Sequence, residues 1–197
     1  MKICYSNQVW AADITYIPLA RGYMYLFAIM DLKSRFILNW SLSNTMEASR
    51  VVRVLKGAIE KYGRPEIINT DQGSQFTSEE WVGYIKGLRK TKISMDGKGR
   101  AIDNVFIERF WRTLKYEKIH LQPIENGQKA NGLIHEFVEY YNHKRAHSSI
   151  EKQTPLEAYQ QANRFSRMKV IAGIFHGALW EGAEKSQNNF PSNEILT

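Results

Sequence analysis

The amino-acid sequence predicts an α/β domain in which a five-stranded mixed sheet is flanked by helices. Five short runs rich in β-branched and aromatic residues alternate with stretches of helical apolar spacing, in the order strand, strand, strand, helix, strand, helix, strand, helix. The 197 residues are 43% hydrophobic, enough for one buried core plus extensions and too apolar for a disordered chain.

Each element has its own signal. Val9–Ile17, Tyr23–Met30 and Phe36–Leu42 read as three consecutive strands, with Arg21-Gly22 and Asp31-Leu-Lys-Ser34 supplying the turns. Met46–Tyr62 places Val51, Val54, Leu55, Ala58 and Ile59 at helical spacing and is stopped by Gly63 and Pro65. Glu66–Thr70 is a short buried strand. Ser78–Leu88 is a helix with Ser78 as N-cap and Glu79 and Glu80 in its first turn, and Lys92–Met95 is a fifth strand. Asp103 is placed to cap the helix that holds Glu108. A further helix spans about Gln128–Asn142, and Thr154-Pro155 opens a short one near Leu156–Ala162. Phe175–Trp180 is apolar, while Ser186–Thr197 is polar and irregular and reads as a frayed tail.

Composition narrows the function classes. A formal net charge of +7, from 27 Lys plus Arg against 20 Asp plus Glu, fits a polyanionic partner. The lone Cys4 excludes an internal disulfide framework and a Cys-rich zinc motif. No apolar stretch reaches the length of a membrane span and no signal-peptide pattern opens the chain, so the expected location is cytoplasmic.

Three carboxylates stand in distinctive frames: Asp13 in Trp10-Ala-Ala-Asp-Ile-Thr-Tyr-Ile17, Asp71 in Asn69-Thr-Asp-Gln-Gly-Ser-Gln-Phe-Thr-Ser78, and Glu108 in Asp103-Asn-Val-Phe-Ile-Glu108. Asp13 interrupts an apolar strand, Asp71 ends one, and Glu108 lies on a helical segment. Acids brought from two strands and a helix to one point suit a divalent-metal phosphoryl-transfer centre, because Mg²⁺ takes hard oxygen ligands and is held by few carboxylates plus substrate phosphate.

These frames, together with Ile93-Ser-Met-Asp-Gly-Lys-Gly-Arg100, Glu108-Arg-Phe-Trp-Arg-Thr-Leu-Lys115 and Tyr140-Tyr-Asn-His-Lys-Arg-Ala-His147, carry a family resemblance from Gln8 to Gln160. The chain resembles the catalytic domain of OrfB-type insertion-sequence transposases and is similar to the retroviral integrase core, both of the DDE superfamily. The resemblance implies an RNase H-like fold and an Asp-Asp-Glu site of Asp13, Asp71 and Glu108, catalytic and metal-ligating, with two Mg²⁺ or Mn²⁺ ions. It also implies DNA as partner, both element ends and target, a homo-oligomer on that DNA, and an upstream OrfA-type helix-turn-helix protein that recognises the ends. Residues 1–163 would form the integrase-like core with its C-terminal helices, and 164–197 a partly irregular extension. Asp71 and Glu108 are separated by the 36 residues 72–107, where the family pattern has about 35. The extra residue is expected in the loop Leu88-Arg-Lys-Thr-Lys92, where an insertion costs little.

Around the acids, Gln75, Asn104, Lys98 and Arg100 are candidate carboxylate-positioning or DNA-contacting residues, the last two in a Gly-rich loop. On a helix, Glu108 shares a stripe with Asn104, with Arg112 or Trp111, and with Lys115, so Lys115 and Arg112 are candidates for DNA phosphates. The bland rival is a solvated face in which Glu108 and Arg112 form an i,i+4 pair. Lys144 and Arg145 lie in a segment of interleaved aromatics and cations that suits DNA contact and structural packing equally. Asp71 has a rival reading as a turn cap.

The function expected is metal-dependent DNA strand cleavage and strand transfer in transposition. An RNase H-like nuclease without strand transfer and an inactive, truncated DNA-binding remnant are the alternatives.

Overall fold

A computed structural model describes residues 2–95 and 104–163. Lys98, Arg100, Asp103 and the extension 164–197 lie outside the described residues. The expected five-stranded mixed sheet is present, in the order β3-β2-β1-β4-β5. Strands β1 (Val9–Pro18), β2 (Tyr23–Asp31) and β3 (Ile37–Ser43) form an antiparallel meander. Strands β4 (Ile67–Thr70) and β5 (Lys92–Met95) add to β1 in parallel, joined by helical crossovers.

Side chains alternate across the sheet, so the apolar run of β1 serves two cores. Val9, Ala11 and Ile17 face one side, where α4 (Val105–Leu114) and α5 (Gly127–His143) supply Ile107, Phe110, Trp111, Leu114, Leu133, Ile134, Phe137 and Tyr141. Trp10 and Ala12 face the other, against Val51, Leu55 and Ala58 of α1 (Ala48–Tyr62) and Trp81 and Ile85 of α3 (Glu79–Gly87). The 3.6-residue spacing of each of these sets lays one stripe of each helix on the sheet.

Ser78 caps α3 as expected, its hydroxyl accepting the Trp81 N–H at 3.2 Å with Glu79 and Glu80 in the first turn. The turn Asp31–Ser34 is also where the sequence puts it, but Asp31 is fully buried. Its carboxylate accepts the Asn7 N–H (2.7 Å), the Ser34 N–H (2.9 Å) and the Ser34 hydroxyl (2.6 Å). The short helix near Leu156–Ala162 spans 155–163, and its Tyr159 stacks on Phe36 with ring centroids 5.1 Å apart.

Two local features are not marked by the sequence reading. Ser74–Thr77, to which it assigns no helix, closes into one helical turn, α2, whose Phe76 is buried against Phe27. Beyond Leu114 the chain continues as a π turn, Lys115–Ile119, with His120 N–H bonded to the Lys115 carbonyl at 2.8 Å. Asn104 stands at the N-cap position of α4, and the expected cap by Asp103 lies outside the described residues. No helix among the described residues is long and apolar enough to cross a membrane.

Candidate active site

Strand register brings the first two acids level. In the parallel pair β1·β4, Val9 faces Ile67, Trp10 faces Ile68 and Ala11 faces Asn69. Two residues further on, Asp13 continues β1 on the face covered by α4, and Asp71 follows the end of β4, near enough for its charge to act on the Asp13 carboxyl. Asp71 stands just past the last residue of β4, and its Oδ1 accepts the Gly73 N–H at 2.9 Å. The turn-cap reading of Asp71 is therefore met as well, by one of its two oxygens. Gly73 leaves no room there: a Cβ would sit 3.0 Å from Asp71 Oδ1 and 2.4 Å from Gln75 Nε2.

Helix α4 is pinned to both strands. At its start Asn104, buried, accepts at Oδ1 from the Asn69 amide at 3.3 Å, above β4. Seven residues on, the Trp111 indole N–H donates to Asp13 Oδ2 at 2.8 Å, above β1. Glu108 lies between these anchors on the stripe that the sequence predicts, three residues before Trp111 and exposed. Among the described residues it makes no ion pair with Arg112, whose guanidinium instead lies 5.9 Å from the Tyr116 ring. The salt-bridged rival for Glu108 thus lacks its salt bridge.

Electrostatics tie the three acids together. Burial raises the Asp13 carboxyl to about 6, and the negative charges of Asp71 and Glu108 push in the same direction, against the Trp111 and Ile14 N–H bonds that favour the carboxylate. Lys115, half-buried, is lowered by desolvation while Asp13 draws it back up, so its ammonium lies within reach of the first carboxylate's field. A buried carboxyl that two nearby negative charges push further up is one that a bound cation would favour in its charged form. Among the described residues no three Asp, Glu, His or Cys side chains close into a ready-made cage.

The remaining candidates divide. Gln75 is buried in α2 beside Gly73, next to Asp71, and Asn104 is committed to Asn69. Arg145 pairs with Glu117 of the π turn through both guanidinium nitrogens, one contact at 2.9 Å, while Lys144 is exposed at the end of α5. In the same segment Tyr141 is buried against Phe110 and His147, and Asn142 bonds both the N–H and the carbonyl of Ile37 at 3.0 Å. Packing thus claims most of a stretch that composition leaves evenly divided. Two positioning contacts escape the sequence reading, Asn69 with Asn104 and Trp111 with Asp13. The only signal for the second is the place of Trp111 one turn beyond Glu108.

Comparison with known proteins bears on the family and the fold. Two family models, both described as the integrase core domain, match residues 5–101 and 89–155. The transposase for insertion sequence element IS904 of Lactococcus lactis is 37% identical over 153 residues, 76% of this chain and 60% of that protein. Transposase InsF for insertion sequence IS3A of Escherichia coli is 34% identical over 160 residues, 80% of this chain and 55% of that protein. The chain thus spans just over half the length of these relatives. Among solved structures, the HTLV-2 integrase catalytic core domain in complex with magnesium superposes with a TM-score of 0.63 at 18% identity, covering 80% of this chain and 99% of that one. The BIV integrase catalytic core domain gives 0.63 at 20% identity, covering 82% and 99%. The fold is accordingly RNase H-like, and the chain belongs to the integrase core domain family.

Proposed function

We propose that this chain is the catalytic domain of an insertion-sequence transposase that cuts and joins DNA strands by metal-dependent phosphoryl transfer. The observation that carries the reading is that Asp13, on a strand paired in parallel with the one that ends before Asp71, has its carboxyl pushed up by the charges of both Asp71 and Glu108. The similar transposases and the integrase core crystallised with magnesium support it.

Asp13, Asp71 and Glu108 would hold two Mg²⁺ or Mn²⁺ ions, which when bound activate the attacking oxygen and stabilise the leaving oxygen of an in-line displacement. The protein's own part is positional. The Trp111 and Ile14 N–H groups hold the Asp13 carboxylate, and the Gly73 N–H holds one oxygen of Asp71, which orients both acids for ligation. Lys115 contributes a positive charge beside Asp13, placed for a DNA phosphate. Water as nucleophile nicks the element end, and a 3′-hydroxyl joins strands; neither needs a covalent enzyme intermediate. Pairing two ends implies at least a dimer on DNA, with an upstream helix-turn-helix protein recognising the ends.

Incubation of the chain with a labelled, pre-nicked element end and Mg²⁺ tests the reading. Joined strands longer than the substrate are expected, and chelation of the metal should abolish them. Shortened strands alone would identify a nuclease without strand transfer, and no reaction with either ion would favour the inactive remnant.

A further inference from the structure

The carboxylates occupy one face of the sheet, and the opposite face at the same end carries a feature that the proposed chemistry does not use. Strands β1 and β2 continue well past Asp13, through Tyr16↔Tyr25 to Pro18↔Tyr23. On its β4 side β1 is paired only at Val9, Trp10 and Ala11, so among the described residues its edge beyond Asp13 has no neighbouring strand there. Tyr16 lies three positions beyond Asp13, about 10 Å along the strand, and the odd offset turns Tyr16 to the other face.

There Tyr16, Tyr23 and Tyr25 form a triplet with ring centroids 5.1, 5.3 and 5.4 Å apart. The helices that bury Trp10, Ala12 and Phe27 on this face leave Tyr16 and Tyr23 more than half exposed, at 54% and 53%. A cross-strand aromatic pair alone would be ordinary sheet packing. Three grouped rings with two left open, beside a DNA-processing end of the sheet, go beyond that. Cations border the triplet: Arg21 is exposed in the hairpin turn between Tyr16 and Tyr23, and Arg50, in an exposed 4.0 Å pair with Glu47 that a phosphate would have to replace, lines the same groove as Tyr25.

We propose that Tyr16, Tyr23 and Tyr25 are a stacking platform for unpaired nucleotides of the DNA whose phosphodiester lies at the carboxylates, with Arg21 and Arg50 taking the flanking phosphates. The proposal rests on the DNA reading above. Every base offers a π-face to an aromatic ring, so such a platform binds single-stranded extensions without sequence preference. The positive partners suit a polyanion, as does the chain's net charge of +7.

The test compares a blunt DNA duplex with the same duplex carrying a single-stranded extension that contains 2-aminopurine. On the wild-type chain the 2-aminopurine fluorescence should be quenched, and a bromouracil in the extension should photocrosslink to one of the three tyrosines. Tyr16→Ala and Tyr23→Ala should each weaken binding of the extended DNA by about five-fold or more, the low end of the loss of one stacked base. Binding of the blunt duplex should be unchanged, and Tyr16→Phe and Tyr23→Phe should retain full affinity. Equal affinity for the extended DNA in the alanine variants, an equal loss for both DNAs, or crosslinks elsewhere would overturn the platform while leaving the catalytic reading intact. A shift of oligomeric state in sedimentation, with DNA binding unaltered, would make the face a protein interface and likewise overturn it. Failure of the wild-type chain to bind either DNA would remove both readings together.

Discussion

The indole N–H of Trp111 donates to Asp13 Oδ2 at 2.8 Å, joining the helix that carries Glu108 to the strand that carries the first carboxylate across 98 residues of sequence. The bond fixes the rotamer of Asp13 and sets how far α4 stands above β1. Hydrogen bonds to a charged partner contribute about 1.5–3 kcal/mol, more than neutral ones. Trp111→Phe keeps an aromatic ring beside Phe110 and removes the donor, together with part of the buried ring volume. Metal-dependent DNA cleavage should fall about ten-fold or more, with little change in DNA affinity. An unaltered cleavage rate in Trp111→Phe would show that Asp13 is held by other groups.

Asp13 also makes stability depend on pH. Its folded-state value is raised to about 6 from the ordinary carboxylate range near 4, mainly by burial, so the folded chain binds a proton there more readily than the unfolded chain. This contribution is greatest below pH 4 and is lost as pH rises through 6. Asp13→Asn removes the ionisation and can still accept from Trp111. In metal-free buffer the variant should match the wild type near pH 4 and be more stable by roughly 2–3 kcal/mol at pH 7. Denaturant titrations across this range check it, and a constant difference between the two proteins would contradict the assigned cause.

Lys115 stands within the field of Asp13 at the start of the π turn. If it holds a phosphate, Lys115→Ala should weaken binding to unrelated DNA sequences equally and reduce the slope of log affinity against log salt by about one. An unchanged slope in a salt titration would return Lys115 to a solvated surface role.

Asn142 closes the far side of the same core, bonding the N–H and the carbonyl of Ile37 from α5. Asn142→Leu leaves both groups of Ile37 buried without a side-chain partner, and each unsatisfied group costs about 1–3 kcal/mol. Urea unfolding should show a loss of roughly 2–4 kcal/mol. A loss under 0.5 kcal/mol would mean that the amide bonds contribute little beyond packing.

Much of this arrangement is legible in the amino-acid sequence, for reasons that differ by residue. The strands around Asp13 and Asp71 announce themselves because an acid inside or at the end of a β-branched run stands out from its neighbours. Their level placement is not legible, since it depends on β1 and β4 pairing in parallel with Ala11 opposite Asn69. The stripe linking Asn104, Glu108 and Lys115 follows from helical period alone, but not the strand that the stripe would face. For this reason helical spacing marks Trp111 as a neighbour of Glu108 and not as the donor to Asp13. The bonds from Asn142 to Ile37 span 105 residues and carry no local signal. The π turn at Lys115 and the single helical turn at Ser74–Thr77 are short responses to packing, in which Phe76 and Ile119 reach the core, and propensity does not mark them.

Three carboxylates acting together on one phosphodiester are the centre of the proposed chemistry, and the most direct measurement is cleavage of element-end DNA by Asp71→Asn and Glu108→Gln. Both substitutions preserve shape and remove one charge, and both positions are exposed, so the fold should persist by circular dichroism. With Mg²⁺, cleavage is predicted to fall by two or more orders of magnitude in each variant while DNA binding remains. Cleavage at the wild-type rate in either variant, with the fold intact, would contradict the assignment of the site.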